Sequence, residues 1–171
     1  TLAANVENLT LTGTGNIDGS GNGDGNTISG NDGDNSLTGG GGVDILSGGS
    51  GSDIFVYDLA SDSTLAATGR DFITGFDVSS DVIDFSSFKQ LAAGANVTLS
   101  FLDTNKAWTG VANQLRVIST ATGQQVQVDF NGDKKADFAI DLDTRQRTMT
   151  RYLDNREATG RRRQISLPSP R

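Results

Sequence analysis

The 171-residue chain contains no cysteine and no histidine. Without cysteine there is no disulfide and no thiolate metal site. Without histidine the commonest general base and the commonest transition-metal ligand are missing. Glutamate is nearly absent too: Glu7 and Glu157 stand against 19 aspartates. Glutamate favours helices, whereas aspartate favours turns and compact oxygen cages for hard cations. No run of 18 apolar residues occurs, so no segment is suited to cross a membrane as a helix. Basic residues are scarce in the body: residues 1–144 hold 6 Lys/Arg against 19 Asp/Glu, a net −13, while residues 145–171 hold 8 against 2, a net +6. A body this acidic argues against nucleic acid as a partner, which requires clustered positive charge. No secretory signal pattern opens the chain. TLAANVENLTLTGTG reads as mid-domain sequence, and the chain is expected to be a module of something larger.

Aromatic residues are missing before Phe55, and 15 of the 22 glycines lie in residues 1–56. The first part therefore cannot build an aromatic-anchored core, while the second can. Glycine-rich sequence often marks a flexible linker, but periodicity argues otherwise here. Ile28, Leu37, Leu46 and Phe55 stand nine residues apart, in the frame GNGDGNTIS (21–29), GNDGDNSLT (30–38), GGGGVDILS (39–47) and GGSGSDIFV (48–56). Position one is always Gly, position six is Asn26, Asn35, Asp44 and Asp53, and position eight is large and apolar. Ile17 lies eleven residues before Ile28, which predicts a two-residue insertion or an irregular coil there. Six residues per repeat reverse the chain, and three form a short strand with its central side chain inward. Two repeats complete one coil, so neighbours on the same side are repeats n and n+2. Nonapeptides of the form G-G-x-G-x-D-x-U-x build parallel β-helices that bind calcium. One buried aliphatic side chain contributes about 2 kcal/mol, which cannot offset about 1–2 kcal/mol of backbone entropy at each of nine residues. The repeats are therefore expected to need a cation to fold.

These repeats, followed by DIFVYD (53–58), DFITGFD (71–77) and DVIDF (81–85), resemble the RTX family. More closely, they resemble C-terminal domains of proteins exported by type I secretion: serralysin-like proteases, RTX lipases, the R-modules of mannuronan C5-epimerases and RTX adhesins. The resemblance implies an all-β fold, a parallel β-roll (β-helix) of nonapeptide repeats capped by a C-terminal β-sandwich-like region. It implies several Ca2+ ions as cofactors. The implied ligands are Asp44 and Asp53, with Asn26 and Asn35 in the family's aspartate position and hence binding more weakly. Carbonyls near Gly30, Gly33, Gly39, Gly42, Gly48 and Gly51 join them, and Asp71 matches the aspartate that closes the last site in relatives. Asp24, Asp32 and Asp34 fall at other turn positions.

Three regions are expected: repeats over 1–56, a β-rich cap continuous with them over 57–142, and a basic, disordered tail over 143–171. Alternation predicts strands at 97–102, 114–119, 125–130 and 137–142, with a short helix or turn at 86–93. Phe72, Phe76, Phe85, Phe88, Phe101, Phe130 and Phe138 are the expected core. Trp108 is read either as a carbohydrate-stacking platform or as a half-tucked loop residue. Asp129, Asn131, Asp133 and Asp137 place oxygens on alternate residues around Gly132. That pattern partly resembles an EF-hand loop but lacks the bidentate Glu at the twelfth position, and a hairpin turn between two strands is the plainer reading. In the tail, Arg161–Arg163 could meet a polyanion, and a solvated run is the plainer reading.

No nucleophile–base pair is available, and no carboxylate pair stands out for glycoside chemistry. The chain is expected to be a non-catalytic, extracellular module. Its implied partners are an attached catalytic or adhesive domain and the type I secretion machinery. Two alternatives follow from the resemblance: an R-module holding an anionic polysaccharide such as alginate, and the terminal domain of an adhesin.

Overall fold

The computed structural model describes residues 1–88, 98–143 and the backbone of 152–153. Lys89, most of the 86–93 segment and the Arg161–Arg163 run lie outside these residues. Every element among the described residues is a strand. The rungs are three residues long or shorter: β1 (Asn8–Thr10), β2 (Gly19–Ser20), β3 (Thr27–Ser29), β4 (Ser36–Thr38), β5 (Ile45–Ser47), β6 (Ile54–Val56), β7 (Phe72–Thr74) and β8 (Val82–Asp84). Longer strands follow: β9 (Ser100–Thr104), β10 (Gln114–Ser119), β11 (Gln124–Asp129) and β12 (Phe138–Leu142). Tyr152–Leu153, within the segment expected to be a tail, forms β13 beside β8.

Odd and even rungs stack on opposite sides of a parallel β-roll. One sheet runs β1-β3-β5-β7-β12-β11-β10-β9 and the other β13-β8-β6-β4-β2. Rungs pair eighteen residues apart, Ile28 with Leu46 and Leu37 with Phe55, so the second nonapeptide along is the neighbour. Position eight points inward: Ile28, Leu37, Leu46 and Phe55 are fully buried. The same D-x-apolar pattern continues past residue 56, since Ile73 and Ile83 stack on Leu46 and Phe55.

The expectation for Ile17 is corrected. Gly19 pairs with Leu37 eighteen residues on, so the nine-residue frame continues without insertion through 12–20. Gly19 takes the buried place, and Ile17 falls at position six, 41% exposed. A Cβ on Gly19 would lie 3.0 Å from Leu37 and 3.2 Å from Leu9, whose side chains fill its space.

The cap grows from the roll's own sheet. β12 pairs parallel with β7, and β11 and β10 follow antiparallel, which covers the edge an open stack would expose. Tyr57, Phe85, Phe88, Phe130 and Phe138 form its centre, with ring centroids 5.2–6.5 Å apart. Phe101 packs against this core from a half-buried position, and Phe72 is half-buried on β7 rather than within the core.

Candidate metal-binding turns

Position six forms a column along each side of the roll. The backbone N–H of Asn26 donates to Oδ1 of Asp44 at 2.8 Å, and that of Asp44 to Oδ1 of Asp71 at 2.9 Å. On the other side, Asn35 N–H donates to Oδ1 of Asp53 at 2.9 Å, and Asp53 N–H to Oδ1 of Asp81 at 3.1 Å. The sequence reading missed Asp81, which completes the second column. It lies two residues before buried Ile83, as Asp71 lies two before Ile73. That spacing was readable, but the 58–70 loop breaks the nine-residue count ahead of it.

Position one is glycine because the side chain at position six lies over it. A Cβ on Gly39 would strike Oδ2 of Asp44, and one on Gly48 would strike Oδ2 of Asp53. A Cβ on Gly21 or Gly30 would meet the carbonyls of Gly39 and Gly48 together with Oδ1 of Asn26 and Asn35. Gly51 faces the carbonyl of Gly33, and Gly42 that of Asp24. Each turn thus gathers carbonyl and side-chain oxygens into a space too small for another side chain.

The aspartate turns leave charge unanswered. Oδ2 of Asp44, Asp53 and Asp71 is buried and has no hydrogen-bond partner. A buried carboxylate in this condition is costly when ionised. Burial lifts Asp44 and Asp53 to about 6 and Asp71 to about 8, against backbone N–H bonds that pull the other way. Burial also raises Asp62 and Asp81. The Tyr57 hydroxyl, buried beside Asp71, meets no group in hydrogen-bond geometry, and burial, then Asp71, hold it well above the ordinary tyrosine range. Among the described residues no three acidic side chains converge on one point, so backbone carbonyls must complete any cation shell. At the asparagine turns both Nδ2 hydrogens of Asn26 and Asn35 are donated and each Oδ1 accepts one backbone N–H.

The Asp129 loop is built differently. Asp129 accepts from the N–H of Gly132 at 2.7 Å and of Lys134 at 3.0 Å, one to each oxygen. Asp137 accepts from Phe130 N–H at 2.8 Å and Asn131 Nδ2 at 3.3 Å. Asp133 N–H donates to Asn131 at 2.7 Å and Lys135 N–H to Asp133 at 2.8 Å. These bonds describe a hairpin turn in which both Asp129 oxygens accept backbone N–H bonds.

Trp108 is 9% exposed, and the Arg116 guanidinium lies 4.2 Å from its ring centroid. One face of the ring is thus covered by Arg116, which also donates to Gln127. Arg70 pairs with Asp141 at 2.8 Å. The two arginines of the acidic body are therefore engaged within the fold. Among the described residues no helix is long and apolar enough to cross a membrane.

Residues 13–153 match the sequence family described as peptidase M10 serralysin C-terminal. No curated protein matches the chain. Among solved structures, the chain is similar to the AlgE6R2 subunit of the Azotobacter vinelandii mannuronan C5-epimerase, with 23% identity over 82% of this chain and 86% of that one and a TM-score of 0.51. It is also similar to the AlgE6R3 subunit of the same epimerase, with 25% identity, coverage of 84% and 80%, and a TM-score of 0.42. The first of these likenesses is one of fold.

Proposed function

The chain belongs to the serralysin C-terminal family of RTX domains, and from that premise we propose that it is a calcium-binding module that folds on meeting calcium outside the cell. In that role it supports type I secretion and the folding of an attached secreted protein. The observation that carries this reading is the set of buried, partnerless Oδ2 atoms on Asp44, Asp53 and Asp71. Every donor offered at these turns is oxygen, the ligand type calcium selects. The residues therefore fit the ion. Asp44, Asp53 and Asp71 would hold it together with carbonyls around Gly30, Gly33, Gly39, Gly42, Gly48 and Gly51, while Asp81, whose two oxygens accept the backbone N–H groups of Asp53 and Asp77, closes the second column. Calcium would supply the positive charge that lets these carboxylates stay ionised while buried.

In this reading residues 1–56 carry the repeats, 57–142 the cap, and 143–171 a basic extension. The chain is non-catalytic, and any activity belongs to the attached domain. Calcium is scarce inside cells and near millimolar outside. At roughly 1 mM calcium, a site with Kd on the order of 0.1 mM adds about 1.4 kcal/mol, so several sites acting together are needed to switch the fold. The test is far-ultraviolet circular dichroism of the full chain. Adding millimolar calcium should produce a large gain of β signal, and chelator should reverse it. A spectrum indifferent to chelator would remove the proposal.

A further inference from the structure

The asparagine turns and the aspartate turns place different atoms in the same location. At Asp44 and Asp53 the turn offers a carboxylate oxygen that nothing meets. At Asn22–Asn26 and Asn31–Asn35 it offers side-chain nitrogens, and these end on carbonyls of the coil before.

The backbone fixes the direction of each amide. Oδ1 of Asn22 accepts from Asp24 N–H at 2.8 Å, so its Nδ2 donates to the carbonyls of Ala3 at 2.7 Å and Val6 at 3.0 Å. Oδ1 of Asn26 accepts from Asn22 N–H at 2.8 Å, and its Nδ2 donates to Val6 O and to Asn22 Oδ1, both at 3.2 Å. The next turn repeats the arrangement. Oδ1 of Asn31 accepts from Gly33 N–H at 2.9 Å, and its Nδ2 donates to Thr12 O at 3.3 Å and Gly15 O at 3.0 Å. Oδ1 of Asn35 accepts from Asn31 N–H at 2.8 Å, and its Nδ2 donates to Ile17 O and to Asn31 Oδ1, both at 2.9 Å. Flipping any of these amides would set its NH2 against a backbone N–H. The carbonyls that could face a cation are thus met by amide hydrogens carrying partial positive charge.

We infer that the interface between the first coil (β1, β2) and the second (β3, β4) is closed by these four asparagines and takes no calcium. The calcium sites of the roll then begin at the aspartate turns. This inference rests on the calcium reading above and sets its boundary within the roll. The sequence pattern supports it independently. In the four nonapeptides, position two is Asn where position six is Asn (22 with 26, 31 with 35), and Gly where position six is Asp (40 with 44, 49 with 53). Gly40 and Gly49 have φ of +97° and +98°, and a Cβ on either would strike the carbonyl oxygen of Asn22 or Asn31. An aspartate turn therefore has no room for the position-two amide. The two turn types are alternatives, each requiring a matched pair of residues. The roll is accordingly polar along its axis, stitched by neutral amides at one end and by ions beyond it.

Counting bound ions on the full chain by native mass spectrometry in millimolar calcium tests this. N22A/N31A should bind as many ions as the unmodified chain, and D44N/D53N should bind fewer. Fewer ions on N22A/N31A would overturn the inference. An unmodified chain that binds none would overturn the calcium reading and this inference with it. Should N22A/N31A fail to fold, a crystal structure of the unmodified, calcium-loaded chain decides. Asparagine nitrogens on the carbonyls of Val6 and Gly15 support the inference, and an ion within about 2.3–2.6 Å of either carbonyl overturns it.

Discussion

The roll and the cap share a sheet but are held together by opposite means. From β3 to β8 each rung of the roll contributes one buried apolar side chain, such as Leu46 or Phe55, and the turns carry buried carboxylates. The cap places Tyr57, Phe85, Phe88, Phe130 and Phe138 in mutual contact, and the Asp129 turn beside them answers its own carboxylates with backbone N–H groups. Apolar burial can support the cap without any ligand. The roll leaves electrostatic demand that only a cation or a proton can meet. The contrast predicts that each half yields to a different perturbation.

Phe138→Ala should have the largest effect. Phe138 is fully buried and touches four aromatic rings, so truncation should cost about 3–5 kcal/mol. Denaturant unfolding in saturating calcium measures it. Excess calcium should not restore the loss, because no ion fills the cavity. Recovery at high calcium would erase the distinction between the two halves. Gly48→Ala is the matching change in the roll. Its Cβ would collide with the Asp53 carboxylate, an overpacking cost of about 1–3 kcal/mol that falls on a candidate ligand. The calcium midpoint of the circular dichroism change should rise about tenfold, which corresponds to about 1.4 kcal/mol. A midpoint shifted no further than that of Phe138→Ala would place the glycine outside the metal chemistry.

This contrast was only partly legible in the sequence. Strict nine-residue spacing made Ile28, Leu37, Leu46 and Phe55 readable as inward rungs, and alternation placed β10 to within its observed ends. Asp81 was missed because the 58–70 loop interrupts the count. Gly19 was missed because a glycine in a core position has no apolar signal to read, and Leu9 and Leu37 fill its place only in three dimensions. Burial of Trp108 under Arg116 depends on strands that pair across a hairpin, β10 with β11. The asparagines at position six were readable as weak ligands, but their amide direction depends on N–H donors four residues back, which spacing alone does not reveal.

Protons should sharpen the comparison next, with a graded effect. The ordinary aspartate value is 3.8, and burial raises Asp44 and Asp53 to about 6 and Asp71 to about 8 without metal. The folded, metal-free roll therefore takes up protons at higher pH than the unfolded chain does. Its stability is lowest above about pH 8, rises as pH falls through that window, and is fully gained below about pH 4. In calcium the sign reverses, because protons compete for the same oxygens. Thermal midpoints taken from about pH 8 to about pH 5 should therefore rise in chelator and fall in calcium. A shift in the same direction in both media would separate these carboxylates from the ion.

The smallest effect belongs to the cap's hairpin and bears on whether that turn is structural. Lys134 has φ of +69°, in the left-handed region, where a residue with a Cβ is strained by about 1–2 kcal/mol. Lys134→Gly relieves the strain but loosens the unfolded chain by about 0.5–1 kcal/mol. A net gain of about 0.5 kcal/mol should remain, raising the melting midpoint by about 1–2 °C. The same change removes a positive charge from the loop that carries Asp129, Asp133 and Asp137. If those carboxylates held an ion, losing Lys134 would tighten it, and the extra stability would grow with calcium concentration. Because both Asp129 oxygens already accept backbone N–H bonds, the gain should be equal in calcium and in chelator. A gain that appears only in calcium would move the Asp129 turn to the ion-bound side of the comparison.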